Sequence, residues 1–299
     1  DISGWWDAVG NQARIYARQA ITDVRDVFRT NDDFREATID WDFTLSQVRT
    51  TVVPALERTG LVVTQGFIGA TAENESTTLG REGSDYTAAV FANMLDARDQ
   101  TIWKDVEGVM NGDPKLVPDA VIIRELNYDE VIEMAYYGAQ VIHPKTIKPL
   151  QNKNIPLLVK CFLDTAQDGT IIHNRPVRNL PPIIVWKMDQ VMVRLHSKDF
   201  SFVGEKPVAR LYEILATLKV RPNLIHTGAV SLQICIDDHP EKLGRLAHDV
   251  ASLFDVDMEK GLTLLTVRHY TEAALEGLLE GRQVVLQQQT PETVQAVIK

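Results

Sequence analysis

Apolar positions along this chain follow two spacings, one helical and one continuous. Val48, Val52, Val53 and Leu56 recur at helical intervals, which predicts a helix over 45–58 stopped at Gly60. The same reasoning predicts helices over 84–95, with Ser84 or Asp85 as cap, over 128–138, and at 147–150. Good helix formers over 11–23 predict another, and DVRDVF (23–28) alternates like a short strand. Short apolar runs mark strands at LVVTQGFIGA (61–70), at 100–106 and at IPLLVKCF (155–162). These runs are too continuous for a half-exposed sheet, so the alternation from 23 to about 175 predicts an α/β domain covered on both faces. HNRPVRNLPPIIVWK (173–187), with three prolines, marks a boundary. Beyond it the order is strand, helix, strand, strand, helix, strand, a ferredoxin-like module. A short helix and two strands (VVLQQQ and TVQAVIK) complete 271–299.

Composition narrows the function. The 299 residues carry 31 Lys and Arg against 41 Asp and Glu, a net charge of −10, with no basic block. That balance argues against a nucleic-acid partner. No apolar run approaches the ~18 residues of a membrane span, and the first residues lack a signal-peptide layout. Cys161 and Cys235 have neither metal-ligand nor disulfide spacing, and both lie in apolar runs. They read as buried free thiols of a cytoplasmic protein.

The densest chemistry lies in TTLGREGSDYTAA (77–89). Gly80 and Gly83 permit close backbone approach, and the loop opens onto a helix N-terminus that favours an anion. Arg81 adds a planar fork for a carboxylate or phosphate, and Thr77, Thr78 and Ser84 add hydroxyls. A capped turn with a solvated Arg is the plainer alternative. A second glycine loop, Gly66 to Gly69, ends the preceding strand, where open α/β sheets bind ligands.

Spelled out, QGFIGA followed by TTLGREGSDYTAA resembles the aspartokinase branch of the amino acid kinase family. DVRDVFRTNDDF, WKDVEGVMNGDPKLV and GAQVIHPKTIKPLQNKNIPLLVK resemble it further, in the expected order. LHSKDFSFVGEKPVARLYEIL with PNLIHTGAVSLQICID resembles that family's regulatory ACT domain. The resemblance implies a three-layer α/β sandwich with a mainly parallel sheet, followed by an α+β ferredoxin-like ACT module. It implies a catalytic domain over 1–182 lacking its N-terminal part, an ACT domain over 183–270, and a partial second ACT-like segment over 271–299. The implied reaction transfers the ATP γ-phosphoryl group to the side-chain carboxylate of L-aspartate, with Mg²⁺, in a cytoplasmic homodimer.

By the same resemblance Arg81, Thr78 and Ser84 would hold the substrate carboxylate, beside Gly66 and Gly69. Asp85 would orient a lysine or the substrate amine, unless it merely caps the helix. Lys104, Asp105, Gly108, Met110, Lys115 and Gln140 would face the nucleotide, Met110 and Gln140 replacing an aromatic residue and a lysine of other members. His143, ahead of a proline at a helix start, reads as structural. No metal ligands are assigned. Asp199, Phe202, Pro222, Asn223 and Leu224 would take a lysine or threonine effector, and the apolar strand VSLQICI invites edge-to-edge pairing of two copies. The family's Lys-Phe-Gly-Gly loop has no counterpart in these residues, so the sequence is expected to be less than the whole active enzyme. A sibling kinase with another acceptor, or an inactive amino-acid sensor, are the alternative readings.

Overall fold

A computed structural model describes residues 20–139, 142–198 and 202–299. Of the helix expected over 11–23, residues 11–19 lie outside the described residues, as do the candidates Gln140 and Asp199; its described end is instead a strand, Ala20–Thr22. The chain divides into two compact units. The first comprises 20–109, 122–135 and 142–178; the second comprises Met110–Val121, Tyr136–Ala139 and the described part of Asn179–Lys299. Residues 110–121 and 136–139, expected in the catalytic domain, therefore group with the second unit.

The first unit opens with strand β1 (Ala20–Thr22). The strand expected at 23–28 is instead a 3-10 turn at Val24–Asp26. Asp23 accepts the Arg25 N–H at 3.0 Å and grips its guanidinium at 2.7 Å, closing the backbone on itself. Helix α1 (Trp41–Gln47) starts where Asp40 accepts the Phe43 N–H at 3.1 Å. It runs through a π-turn (Val48–Val52) into α2 (Val53–Thr59), ended by left-handed Gly60 at φ 72°. The strand expected to open 61–70 is β2 (Val62–Thr64), parallel to β1, and the glycine loop expected after it runs into a further short strand, β3 (Ile68–Ala70), antiparallel to β4 (Ser76–Thr78). Helix α3 (Gly83–Met94) packs Tyr86, Val90 and Met94 against Val24, Phe28, Val48, Val52 and Leu79. Beyond it lie β5 (Gln100–Lys104), β6 (Glu125–Asn127) and α4 (Tyr128–Tyr137). They are followed by α5 (Pro144–Gln151), β7 (Leu157–Cys161) and β8 (Thr170–His173). These four strands form a sheet in the order β5-β7-β8-β6, its β5/β7 and β6/β8 pairs parallel.

The second unit is a six-stranded antiparallel sheet built as the sequence order requires. Its elements are β9 (Ile183–Ser197), α6 (Glu205–Thr217), β10 (Leu224–Thr227), β11 (Ser231–Asp237), α7 (Pro240–Val250) and β12 (Phe254–Arg268). Leu211, Ile214 and Leu215 of α6, with Leu243, Leu246 and Val250 of α7, pack on the buried faces of β9 and β11. Helix α8 (Glu272–Leu279) and strands β13 (Val284–Gln289) and β14 (Thr293–Ile298) extend the same sheet, in the order β10-β11-β9-β12-β14-β13. One expectation fails here. Strand β11, VSLQICI, pairs with β10 on one side and β9 on the other, so it offers no edge to a second copy. The open edges of this sheet belong to β10 and β13.

Candidate functional site

The two glycine loops meet in the first unit. A Cβ built on Gly66 would lie 3.0 Å from the Ser84 Cα, and one on Gly83 would lie 2.8 Å from the Phe67 ring. Only hydrogen at these positions lets the loop after β2 close onto the start of α3. Polar bonds fasten the contact. The Phe67 N–H donates to the Thr87 hydroxyl at 3.0 Å, that hydroxyl donates to the Gly83 carbonyl at 2.8 Å, and the Leu79 N–H donates to the Phe67 carbonyl at 2.8 Å.

Around this seam the candidate groups differ in state. The Arg81 side chain is exposed, with no hydrogen bond or ion pair to the described residues. Ser84 is exposed in the first turn of α3, and neither Ser84 nor Asp85 caps it: the N-cap position is Glu82, left-handed at φ 52°, with no capping side chain. Glu82 reaches elsewhere, accepting the His143 N–H at 2.6 Å. Lys145 donates to the Leu79 carbonyl at 3.1 Å, a second tie from the start of α5 to the glycine loop. His143 is structural as read, its Nδ1 accepting the Lys145 N–H at 3.2 Å. The Thr78 hydroxyl donates toward the Phe34 and Arg35 carbonyls at 3.0 and 3.2 Å. Its proton is thereby engaged, so Thr78 is placed to accept from a ligand rather than to donate to a carboxylate.

Asp85 faces Lys104 across 3.7 Å, with side-chain exposures of 18% and 24%. Burial pushes the Asp85 carboxyl above its ordinary range, the Lys104 ammonium offsets only part of this, and Glu82 adds to the rise. Gln100, 94% buried by its 6% exposure, donates to the Asp85 carbonyl at 3.3 Å. Sequence reasoning missed Gln100 and Glu82, whose partners lie 15 and 61 residues away.

The expected nucleotide residues fall in both units. Lys104 and Asp105 lie at the carboxyl end of β5, Asp105 exposed. Gly108 is buried against the chain itself: a Cβ there would meet the Thr170 hydroxyl at 2.7 Å. Its glycine answers to packing. Met110 and exposed Lys115 belong to the second unit. Among the described residues no cluster of three or more His, Cys, Asp or Glu is arranged to hold a metal ion.

In the second unit Asn223 is the centre of a half-buried network. Its Nδ2 donates to Gln190 Oε1 at 2.7 Å and Asp237 Oδ1 at 2.8 Å, and its Oδ1 accepts from Lys187 Nζ at 2.8 Å. Burial alone would raise the Asp237 carboxyl, but bonds from Gln190, Lys187 and Asn223 hold it below the usual range. Every polar atom of the Asn223 amide is thus engaged by the module's own side chains. Leu224 is buried, Pro222 half-buried, and Phe202 stands 81% exposed before α6.

The profile of the amino acid kinase family matches residues 19–161. Lysine-sensitive aspartokinase 3 of Escherichia coli is 35% identical over 255 residues, 82% of this chain and 56% of that protein. The crystal structure of E. coli aspartokinase III in complex with aspartate and ADP matches with a TM-score of 0.77 at 30% identity, covering 96% of this chain and 68% of that one. The chain belongs to the amino acid kinase family. It is homologous to the aspartokinases, and spans little more than half the length of the E. coli relative. A bifunctional aspartokinase/homoserine dehydrogenase of Arabidopsis thaliana is 41% identical over 154 residues, 52% of this chain but 17% of that protein. Clostridium acetobutylicum aspartate kinase shares the fold, with a TM-score of 0.79 at 19% identity. The glycine seam and the Asp85–Lys104 pair lie in the family-matched part of the chain, as does no residue of the Asn223 network.

Proposed function

We propose that this chain carries the acceptor-binding part of an aspartate kinase, transferring the ATP γ-phosphoryl group to the side-chain carboxylate of L-aspartate. The observation that supports it most is the seam of two glycine loops, where an exposed Arg81 and a half-buried Asp85–Lys104 pair meet the start of α3. Both reactants are anions. The protein's work is therefore to bring them into line and to offset their charge, with little covalent chemistry of its own. Arg81 fits the α-carboxylate as a planar fork, the exposed Ser84 hydroxyl donates beside it, and Thr78 accepts from the α-ammonium. Asp85 orients rather than deprotonates, because a carboxylate nucleophile at neutral pH has no proton to lose.

The nucleotide's phosphates would lie near Lys104 at the carboxyl end of β5. Mg²⁺ would enter on the phosphate oxygens and neutralise charge there. The second unit, with its ACT topology, would sense an amino acid. Lysine is the effector favoured by the resemblance to a lysine-sensitive relative. The turn carrying exposed Phe202 is the better-placed part of that site, since the Asn223 amide is already engaged. A homodimer formed through this module would use an open edge, β10 or β13.

Acyl phosphates react with hydroxylamine, which gives the test. Incubation with Mg-ATP, L-aspartate and hydroxylamine should yield aspartyl hydroxamate in equal amount to ADP. ADP released without aspartate, or hydroxamate formed with another carboxylic acid in preference, overturns the proposal.

A further inference from the structure

We propose that Glu82 is the positioning residue of the acceptor loop: its carboxylate, fastened to the His143 amide ahead of α5, holds the turn that aims Arg81. The proposal rests on the aspartate-kinase reading above and adds to it the group that sets where the Arg81 fork stands.

Arg81 and Glu82 are the two central residues of a four-residue turn, closed where the Gly83 N–H donates to the Gly80 carbonyl at 3.0 Å. Glu82 takes the second central place, at φ 52° and ψ 32°. That left-handed conformation costs a glycine nothing and is penalised in a glutamate. Gly80 is left-handed as well, at φ 81°. The chain thus carries a strained residue directly beside Arg81, where a further glycine would form the same turn without strain.

What the glutamate supplies is reach. Its half-buried side chain accepts the His143 N–H at 2.6 Å, from a residue 61 positions away. His143 caps α5, so the carboxylate also lies at the positive end of that helix dipole. A bond to an ionised acceptor is roughly twice as strong as a neutral one. The contact also disposes of the charge. A loose carboxylate next to Arg81 would compete for its guanidinium and repel an anionic substrate, whereas one bonded to His143 is drawn away toward α5.

Arg81 stands between two ties to the same helix start. Two residues before it, the Leu79 carbonyl accepts from Lys145 Nζ at 3.1 Å, and that ammonium lies 5.3 Å over the Tyr86 ring. One residue after it comes the Glu82 bond. The Leu79 side is fixed independently, since the Thr78 and Leu79 N–H groups donate to the Phe34 and Phe67 carbonyls at 3.0 and 2.8 Å. Releasing Glu82 therefore loosens the turn at Arg81 and leaves the glycine seam closed. Arginine loses much rotamer freedom when it takes a ligand, and a fixed backbone lets its fork meet both carboxylate oxygens with less left to order.

The test titrates L-aspartate into the chain saturated with Mg-ADP, in the parent, Glu82→Gly and Glu82→Gln, with melting followed for each. Glu82→Gly removes the tie and the backbone strain together, so it should melt close to the parent yet bind aspartate about fivefold or more weakly, with Mg-ADP affinity within about twofold. Glu82→Gln keeps an acceptor for the His143 N–H and should restore most of that affinity. A merely structural tie would instead make affinity follow melting across the series. Because Glu82 acts through Arg81, adding Glu82→Gly to Arg81→Ala should weaken aspartate by no more than about twofold further. Should Glu82→Gly not fold, Glu82→Asn, which tolerates the left-handed backbone but is a methylene shorter, carries the same test. Parent-like aspartate affinity in a folded Glu82→Gly chain, or losses that add in the double variant, overturns the role of Glu82 alone. A parent that binds no aspartate overturns the kinase reading and Glu82 with it.

Discussion

Gly69→Ala is the sharpest probe of how the glycine seam is built. The new Cβ would lie 2.7 Å from the Thr30 Cγ2 and 3.1 Å from the Phe28 carbonyl oxygen. Neither neighbour moves easily. Thr30 is 5% exposed, and its hydroxyl is bonded to the Thr77 hydroxyl at 2.7 Å, Thr77 being 1% exposed. The Phe28 carbonyl accepts the Ala70 N–H at 3.0 Å. Relief therefore requires a shift of β3 or of the Thr30–Thr77 pair, an overpacking cost of about 1–3 kcal/mol. For a unit of this size that is a fall in melting temperature of about 2–12 °C, read by calorimetry on the first transition. The methyl is the closest obstacle, so Thr30→Ser, which keeps the hydroxyl and deletes the methyl, should return at least half of the loss in the double variant. Gly60→Ala serves as a control: nothing lies within 4 Å of its added Cβ, and only the left-handed backbone at φ 72° is penalised, by about 1 kcal/mol. Equal losses at Gly60 and Gly69, or no rescue by Thr30→Ser, would refute the close-approach argument.

Three further outcomes follow from charges and burial. Because burial raises the Asp85 carboxyl above its ordinary 3.8, the folded chain holds that proton more tightly than the unfolded one, and stability from this group falls as pH rises from 3.8 through the folded value. Asp85→Asn should therefore melt higher than the parent at pH 7, with the advantage shrinking as pH falls toward 3.8; an advantage independent of pH contradicts it. Asn223→Ala strips partners from Gln190, Lys187 and Asp237 at once and should cost the second unit about 1–3 kcal/mol; an unchanged second transition would show the network to be idle. Both cysteines are buried and the Cys235 thiol is pushed up to about 12, so Ellman's reagent at pH 8 should find neither until denaturant is added.

Much of the fold was legible because burial writes a period into the sequence. The helix over 84–95, the strand at IPLLVKCF and the β-α-β-β-α-β order all carry runs whose spacing matches one element, and α3, β7 and the β9–β12 module follow. DVRDVF misled because its alternation is that of a strand, while one side chain, Asp23, ties both the backbone and the guanidinium of Arg25 into a turn. The strand VSLQICI read as an open edge because apolarity reports burial and not neighbours; it is apolar by virtue of lying between β10 and β9. The site was legible where glycines and Arg81 sit within one segment. It was not legible where the partner is remote: the Glu82 contact to the His143 amide and the Gln100 and Lys104 grip on Asp85 are products of the fold. Asn223 invited a ligand by its type, yet the module's own Lys187 and Asp237 occupy it.

In the proposed function the seam beside α3 binds an amino-acid carboxylate through Arg81. It is tested most directly by titrating L-aspartate into the chain saturated with Mg-ADP, in the parent and in Arg81→Ala. The claim predicts saturable binding in the parent, weakened by about 10–150-fold in the variant through loss of a charge-assisted pair, with ADP affinity unchanged. Unaltered aspartate affinity in a folded Arg81→Ala chain, or a parent that takes up ADP and no aspartate, would contradict it.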